Sequence, residues 1–297
     1  MKLSALKKSS SLDKLTKAIE ETQKPKYAKD DDRFWQPEVD KAGNGYAVVR
    51  LLDAPAIDGE DGLPWVQVFN HGFQGPGGWY IENCPTTTGG KCPACEHNNK
   101  LWNSGIEANK DIVRKQKRRL TYVANILIVS DKNRPELEGQ VKLWKFGKKI
   151  FDKIQEKLSP EFEDETAMNP FDFWKGANLK IKIRNVENFR NYDKSEFEDS
   201  SAIADTDEEI ERIWKSAHSL KQFVAADQFK SYDELTERLN RVLGAGGAAA
   251  ARAPRIDDDV APWDEPKVAA PRATAESTSL GDDEDDLAFF DKLAQEG

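Results

Sequence analysis

All three cysteines of this 297-residue chain, and one of its three histidines, fall within 25 residues as His71, Cys84, Cys92 and Cys95, separated by twelve, seven and two residues. That is the inventory of a zinc site. Cys92-Pro93-Ala94-Cys95 is a tight knuckle that brings two thiolates to one ion, and Cys84 and His71 complete a Cys3His tetrahedron of the closed, structural kind. His97 is the second candidate for the nitrogen ligand, although at two residues beyond Cys95 it would strain the knuckle. A disulfide framework suits secreted chains with even cysteine counts, whereas this count is odd and no secretory leader is read at the start. A redox Cys-x-x-Cys needs no third cysteine and usually follows a βαβ pattern, which is missing. A catalytic deaminase zinc would need a glutamate two residues after its histidine and a Pro-Cys-x-x-Cys, but Phe73 and Lys91 stand there. Four protein ligands also leave no position for a reacting water. One structural Zn2+ is the expectation.

A hydrophobic share of 38% with 9% aromatics is enough for a core in part of the chain only. No apolar run approaches membrane-spanning length, so a soluble, cytoplasmic protein is expected.

The net charge of −9 is unevenly placed. Thirteen acidic residues against four basic ones lie between Arg255 and Gly297, which accounts for all of it; the other 254 residues sum to zero. Preceded by Gly244-Ala245-Gly246-Gly247, an alanine run and Pro254, and interrupted by Pro262, Pro266 and Pro271, this segment is a poor folder. It ends in Asp282, Asp283, Glu284, Asp285, Asp286, Leu287, Phe289 and Phe290, a charge block with an apolar stub suited to a partner protein. The opposite end is basic, with Lys2, Lys7, Lys8, Lys14 and Lys17 in the first 19 residues and Leu12, Leu15 and Ile19 at helical spacing. The expected division is a basic arm over 1–27, a core over 28–244 with a zinc subdomain at about 65–100, and a Gly/Ala linker with acidic tail over 245–297.

In the core, 46–52, 64–70, 120–129, 140–146 and 179–186 read as strands, rich in β-branched and aromatic residues. Leu179, Ile181 and Ile183 alternate with Lys180, Lys182 and Arg184, so three cations share one face. Lys142, Trp144 and Phe146 likewise share a face, which offers a cation for phosphate and rings for bases. Helices are fewer: Ile150, Ile154 and Leu158 mark one, and capping boxes at Thr206/Glu209 and Ser231/Glu234 open two more, the last ending at Gly244. The fold class expected is α+β and β-rich: an oligonucleotide-binding (OB) type barrel core with a structural zinc subdomain and peripheral helices, flanked by the two arms.

Cations cluster where rings do. Lys110, Arg114, Lys115, Lys117, Arg118 and Arg119 run into the strand carrying Tyr122; Lys145, Lys148 and Lys149 flank Trp144; Phe189-Arg190-Asn191-Tyr192 follows the strand that ends at Val186. Grooves for single-stranded nucleic acid use this mixture, because cations follow the backbone while rings stack on bases exposed only in single strands.

Asn70-His71-Gly72-Phe73, Gly78-Trp79-Tyr80-Ile81-Glu82-x-Cys84, Cys92-Pro93-x-Cys95, Ala124-Asn125-Ile126-Leu127, Phe146-Gly147-Lys148-Lys149-Ile150 and Asn191-Tyr192-Asp193 are similar, in order and near-spacing, to the single-stranded DNA-binding (helix-destabilising) proteins of T-even-type bacteriophages. The resemblance runs from arm to tail. It implies an OB core with structural zinc, cooperative binding to single strands as self-assembled arrays, and a setting in phage replication, recombination and repair in the host cytoplasm. His71, Cys84, Cys92 and Cys95 match the zinc ligands; Trp102, Tyr122, Trp144, Phe189 and Tyr192 match aromatic positions of the DNA cleft. Trp102 and Trp144 stand where tyrosine is expected, and Val123 where tryptophan is. Lys7-Lys8-Ser9-Ser10 and Lys117-Arg118-Arg119-Leu120-Thr121 resemble the two copies of the family's cooperativity motif. The acidic tail is expected to engage replication and recombination proteins of the helicase-loader, polymerase and recombinase-mediator type. The competing readings are a zinc-containing nucleic-acid enzyme, which lacks a phosphate loop and an acid/base constellation here, and an acidic adaptor, which would not need basic aromatic strands.

Overall fold

A computed structural model describes residues 31–162, 165–186 and 189–244. The chain separates into a short unit ending at Phe34, where Asp31 pairs with Arg33, and a large unit starting at Trp35. Nine strands are described: β1 (Phe34–Trp35), β2 (Gly45–Leu51), β3 (Trp65–Gly75), β4 (Gly78–Asn83), β5 (Arg119–Ser130), β6 (Val141–Phe146), β7 (Asn178–Val186), β8 (Phe189–Asn191) and β9 (Glu196–Phe197). Five helices accompany them: α1 (Pro93–Trp102), α2 (Glu107–Gln116), α3 (Lys148–Leu158), α4 (Asp207–Lys215) and α5 (Tyr232–Leu243). The protein is therefore α+β around one large sheet. No helix among the described residues is long and apolar enough to cross a membrane.

The twelve-residue strand β5 is the hub. Its first half pairs with β3 (Asn70↔Arg119 to Trp65↔Ala124) and its second half with β2 (Leu51↔Ile126 to Val48↔Ser130). β6 pairs along it from Tyr122↔Phe146 to Leu127↔Val141. A register shift between Val48 and Val49 marks a bulge, which bends β2 and lets the sheet coil. β2 carries β7 on its other side, with Gly45↔Ile183 through Arg50↔Asn178. The order β6-β5-β2-β7-β8 runs through the sheet, which does not close on itself.

One core lies between this sheet and α3. Val49, Leu51, Ile126, Ile128, Leu179, Ile181 and Ile183 meet Ile150 and Ile154, and Tyr122 stacks on Phe151 with centroids 4.0 Å apart. The alternation in β7 holds, its aliphatics buried and its cations outward. In β6 it does not. Trp144 is only 2% exposed and Phe146 is buried with it, Trp144 lying edge-on to Trp35 at 6.0 Å. Leu143 on the opposite face is buried too, so β6 is covered on both sides. Period two tells which residues share a face, not whether that face is covered. Arg50 shows the same double burial: it is 0% exposed in β2, donates from one terminal nitrogen to the carbonyls of Asp172 and Ser201, both at 2.8 Å, and is pushed down to about 10 by burial.

A second core is assembled by the β3–β4 hairpin with α1 and α5. Phe73 and Tyr80 stack at 5.0 Å and meet Leu235, Leu239 and Val242 beside the three cysteines. The hairpin turn Gly75-Pro76-Gly77-Gly78 lies directly on the last turn of α5, where Gly77 N–H donates to Val242 O at 2.8 Å. A Cβ on Gly77 would fall 1.9 Å from Arg241 O, so only glycine admits this approach. Ser231 and Glu234 form the capping box of α5, and Gly244 ends it in the left-handed region. Helices α1 and α2 were not foreseen. The sequence of α2 holds only Ile112 and Val113 as large aliphatics, side by side and without helical period; it is held by buried Val113 and by Glu107 and Asp111 paired with Lys110 and Arg114. The basic arm, with Lys7, Lys8, Ser9 and Ser10, and the acidic tail, with Asp282 to Phe290, lie outside the described residues.

Candidate metal centre and nucleic-acid interface

Three elements deliver the four ligand candidates. His71 sits in β3, Cys84 directly follows β4, and Cys92 and Cys95 bracket the start of α1, whose first residue Pro93 has no N–H to satisfy. All four side chains are buried, and their donor atoms lie within 4.8 Å of one another. His71, not His97, brings the nitrogen.

The dimensions fit a tetrahedral ion. Sγ of Cys84 and Cys95 are 3.6 Å apart, and His71 Nε2 is 3.5 Å from Cys92 Sγ and 3.4 Å from Cys95 Sγ. Zinc–sulfur and zinc–nitrogen bonds of ordinary length give tetrahedron edges of about 3.8 and about 3.6 Å. A disulfide would need sulfurs at about 2 Å. The electrostatics agree: hydrogen bonds from Cys92 and Cys95 hold the Cys84 thiol far below its usual range, while hydrogen bonds with Cys84 and Cys92 push Cys95 far above it. Burial opposes a charge on His71, but hydrogen bonds to Cys84 and Cys92 and their negative charge outweigh it and raise it to about 9.

The surroundings orient the ligands. With Nε2 turned to the sulfurs, His71 Nδ1 donates to Gln116 O at 3.0 Å, a carbonyl that also accepts from Asn98 Nδ2 at 3.0 Å. Thr86 Oγ1 lies 3.1 Å from Cys84 Sγ and accepts from Arg118 at 2.6 Å; the same guanidinium lies over the Phe69 ring, 3.9 Å from its centroid. Sequence reasoning assigned Arg118 to phosphate and missed this tie to the ligand loop. Thr86 has a short polar side chain two residues from a cysteine, which is a weak signal.

The basic and aromatic candidates separate into three groups. Lys117, Arg118 and Arg119 enter β5, and the register Tyr122↔Phe146 sets the first turn of α3, with Lys148 and Lys149, beside that entry. Arg119, Lys145 and Lys148 are exposed, and Lys142 and Lys149 half-buried. Phe189 in β8 is 66% exposed, Tyr192 packs partly against the main core, and Trp102 at the end of α1 is half-buried beneath Lys110 and Arg114, at 5.6 and 6.0 Å. Tyr122 and Trp144, expected as stacking rings, are instead core residues. The cations of β7 are also spoken for: Lys180 pairs with Glu198 at 3.0 Å, Lys182 with Glu196 at 2.7 Å, and Arg184 with Asp193. Those carboxylates come from β9 and the residues on either side of it, which no single-strand reading of β7 could include.

Over residues 43–243 the chain matches the family described as gp32 DNA binding protein like. It is 39% identical over 243 residues to the single-stranded DNA-binding protein of Enterobacteria phage T2 and 37% identical over 241 residues to that of Enterobacteria phage T4, covering 78% of this chain and 78% of each relative. A protein of the same name from Escherichia phage SV14 is 40% identical over 82 residues, 26% of this chain and 70% of its own length.

Proposed function

The chain belongs to the gp32-like DNA-binding family, and from that premise we propose that it coats single-stranded DNA, largely without regard to sequence, during phage replication, recombination and repair. It acts as a binding protein rather than an enzyme. The observation that carries this reading is the convergence of Lys117, Arg118, Arg119, Lys148 and Lys149 at one end of the β5–β6 pair, in a chain whose relatives are named for single-stranded DNA. Cations there, with Lys142 and Lys145, track phosphates; Phe189, Tyr192 and Trp102 supply the rings for bases. Tyr122 and Trp144 lie behind this face as packing.

Two finer assignments rest on the same premise. The antiparallel run β2-β5-β6, with the β3–β4 hairpin inserted between β2 and β5, followed by α3 and by β7 returning to the far side of β2, supports an OB-type core against which α3 packs. The donor set of three sulfurs and one nitrogen supports a structural Zn2+ held by His71, Cys84, Cys92 and Cys95; bound there, the ion supplies cross-linking and no reaction step. The arm over 1–27 is assigned to cooperative self-association and the tail over 245–297 to replication partners, on sequence grounds alone.

The test is a fluorescence titration with single-stranded and duplex oligonucleotides over a range of salt. Single strands of any base composition should bind, with log affinity falling by about 0.7 per phosphate contact for each unit of log salt. Affinity for duplex equal to that for single strands, or a flat salt response, overturns the reading.

A further inference from the structure

Away from the basic face, the loop after β2 and the helix α4 enclose an open groove of about 730 Å³. Phe173 and Ile210 form its apolar floor, and Trp174 and Trp214 its walls. Both indoles are fixed by their N–H groups, Trp174 to Asp207 Oδ1 at 3.1 Å and Trp214 to Ala54 O at 2.8 Å. They nevertheless stay accessible: Trp174 is 56% exposed, and Ile57 and Leu63, on or next to the same loop, are exposed too. Accessible indoles in a groove suit an interaction site.

The rim is acidic. Asp53, Glu60, Asp207 and Glu211 line the groove and no lysine or arginine among the described residues does; Glu211 pairs with Lys215 one turn further along α4, at 2.5 Å. Four carboxylates repel a phosphate backbone, so the ligand of the basic face is the wrong occupant here. Immobilised indoles beside carboxylates suit a cationic side chain, which gains from the ring faces and from the opposite charges together. We propose that this groove docks a peptide segment of another protein in which a lysine or arginine is flanked by aliphatic residues, the cation entering between Trp174 and Trp214 and the aliphatics covering Phe173 and Ile210. The placement leaves the basic face uncovered, so a partner held here rides on the protein while nucleic acid is bound.

The experiment selects short peptides from a random displayed library on the full chain, then measures the winners against Glu60→Lys and Trp174→Ala, with oligonucleotide affinity followed in parallel. The winners should carry Lys or Arg between aliphatic residues, and each variant should weaken them about tenfold, the scale of a desolvated cation–π contact. Oligonucleotide affinity should be unchanged in both, which separates failure here from failure of the nucleic-acid reading. Glu60 lies on an exposed loop, so its variant decides the matter even where Trp174→Ala fails to fold. Absence of enrichment over an unrelated carrier protein, enrichment of acidic or uncharged peptides, or winners indifferent to Glu60→Lys overturns the proposal. Loss of self-association in Glu60→Lys would give the groove to a second copy and overturn it equally.

Discussion

The sheet core and the hairpin core of this protein are closed by different means. The sheet core gathers Trp35, Trp144, Phe146 and a bank of isoleucines from strands distant in sequence, and needs nothing but their packing. The hairpin core holds Phe73, Tyr80, Leu235, Leu239 and Val242, with three of its nine buried residues cysteine. Thiols are small hydrophobes that here sit too close together to be comfortable without a cation. The difference teaches where a local region outsources its cohesion: α1 is ten residues and α2 barely amphipathic, too little apolar surface to be held by burial alone. Strand β3 joins the two regimes, since Asn70 pairs both with Arg119 of β5 and with Asn83 of β4.

The largest effect should come from the ion. Chelation, or Cys92→Ser, is expected to cost several kcal/mol, given that structural zinc supplies about 10–16 kcal/mol to small metal-folded peptides. Hydrogen exchange should show α1 and α5 losing protection while β2 and β7 keep theirs. Coincident melting of metal-free and metal-loaded protein would break the contrast. Next in size, Trp144→Ala should destabilise the sheet core by about 3–5 kcal/mol in chemical denaturation. The folded fraction should keep its oligonucleotide affinity, because the ring is buried; a binding defect at full folding would return Trp144 to the interface.

Phe189→Ala inverts that pattern. Its exposed ring contributes little to stability, and its removal should weaken single-strand binding by about 1–3 kcal/mol whatever the bases, read by the same titration. Unchanged binding would confine Phe189 to the surface of β8. The smallest effect is expected at Ser231→Ala, which removes the cap of α5 for about 1 kcal/mol. That loss should be visible in metal-free protein and muted in zinc-loaded protein, since an ion held by the proposed ligands would anchor the same core by another route. An equal loss in both states would mean that cap and ion act independently.

The ligand set, the outward cations of β7 and the capped helices α4 and α5 were legible in the sequence because each is a local pattern: a spacing, a period, a box of four residues. What escaped depends on partners far along the chain. The burial of Trp144 needs Trp35, and the neutralised cations of β7 need Glu196 and Glu198. The groove beside α4 joins Ala54 to Trp214 across 160 positions, a separation no window can span.

Arg118 stands at a crossing. Its guanidinium reaches Thr86, whose hydroxyl touches the sulfur of Cys84, while its chain position opens the basic entry to β5. On the proposed reading such a residue is pleiotropic: a substitution there would be read both by the ligand loop and by an approaching phosphate, so neither trait would drift without the other. The colour of a cobalt ion placed among the three sulfurs would then register events on the basic face, making the ligand cluster an optical gauge for a surface it never touches.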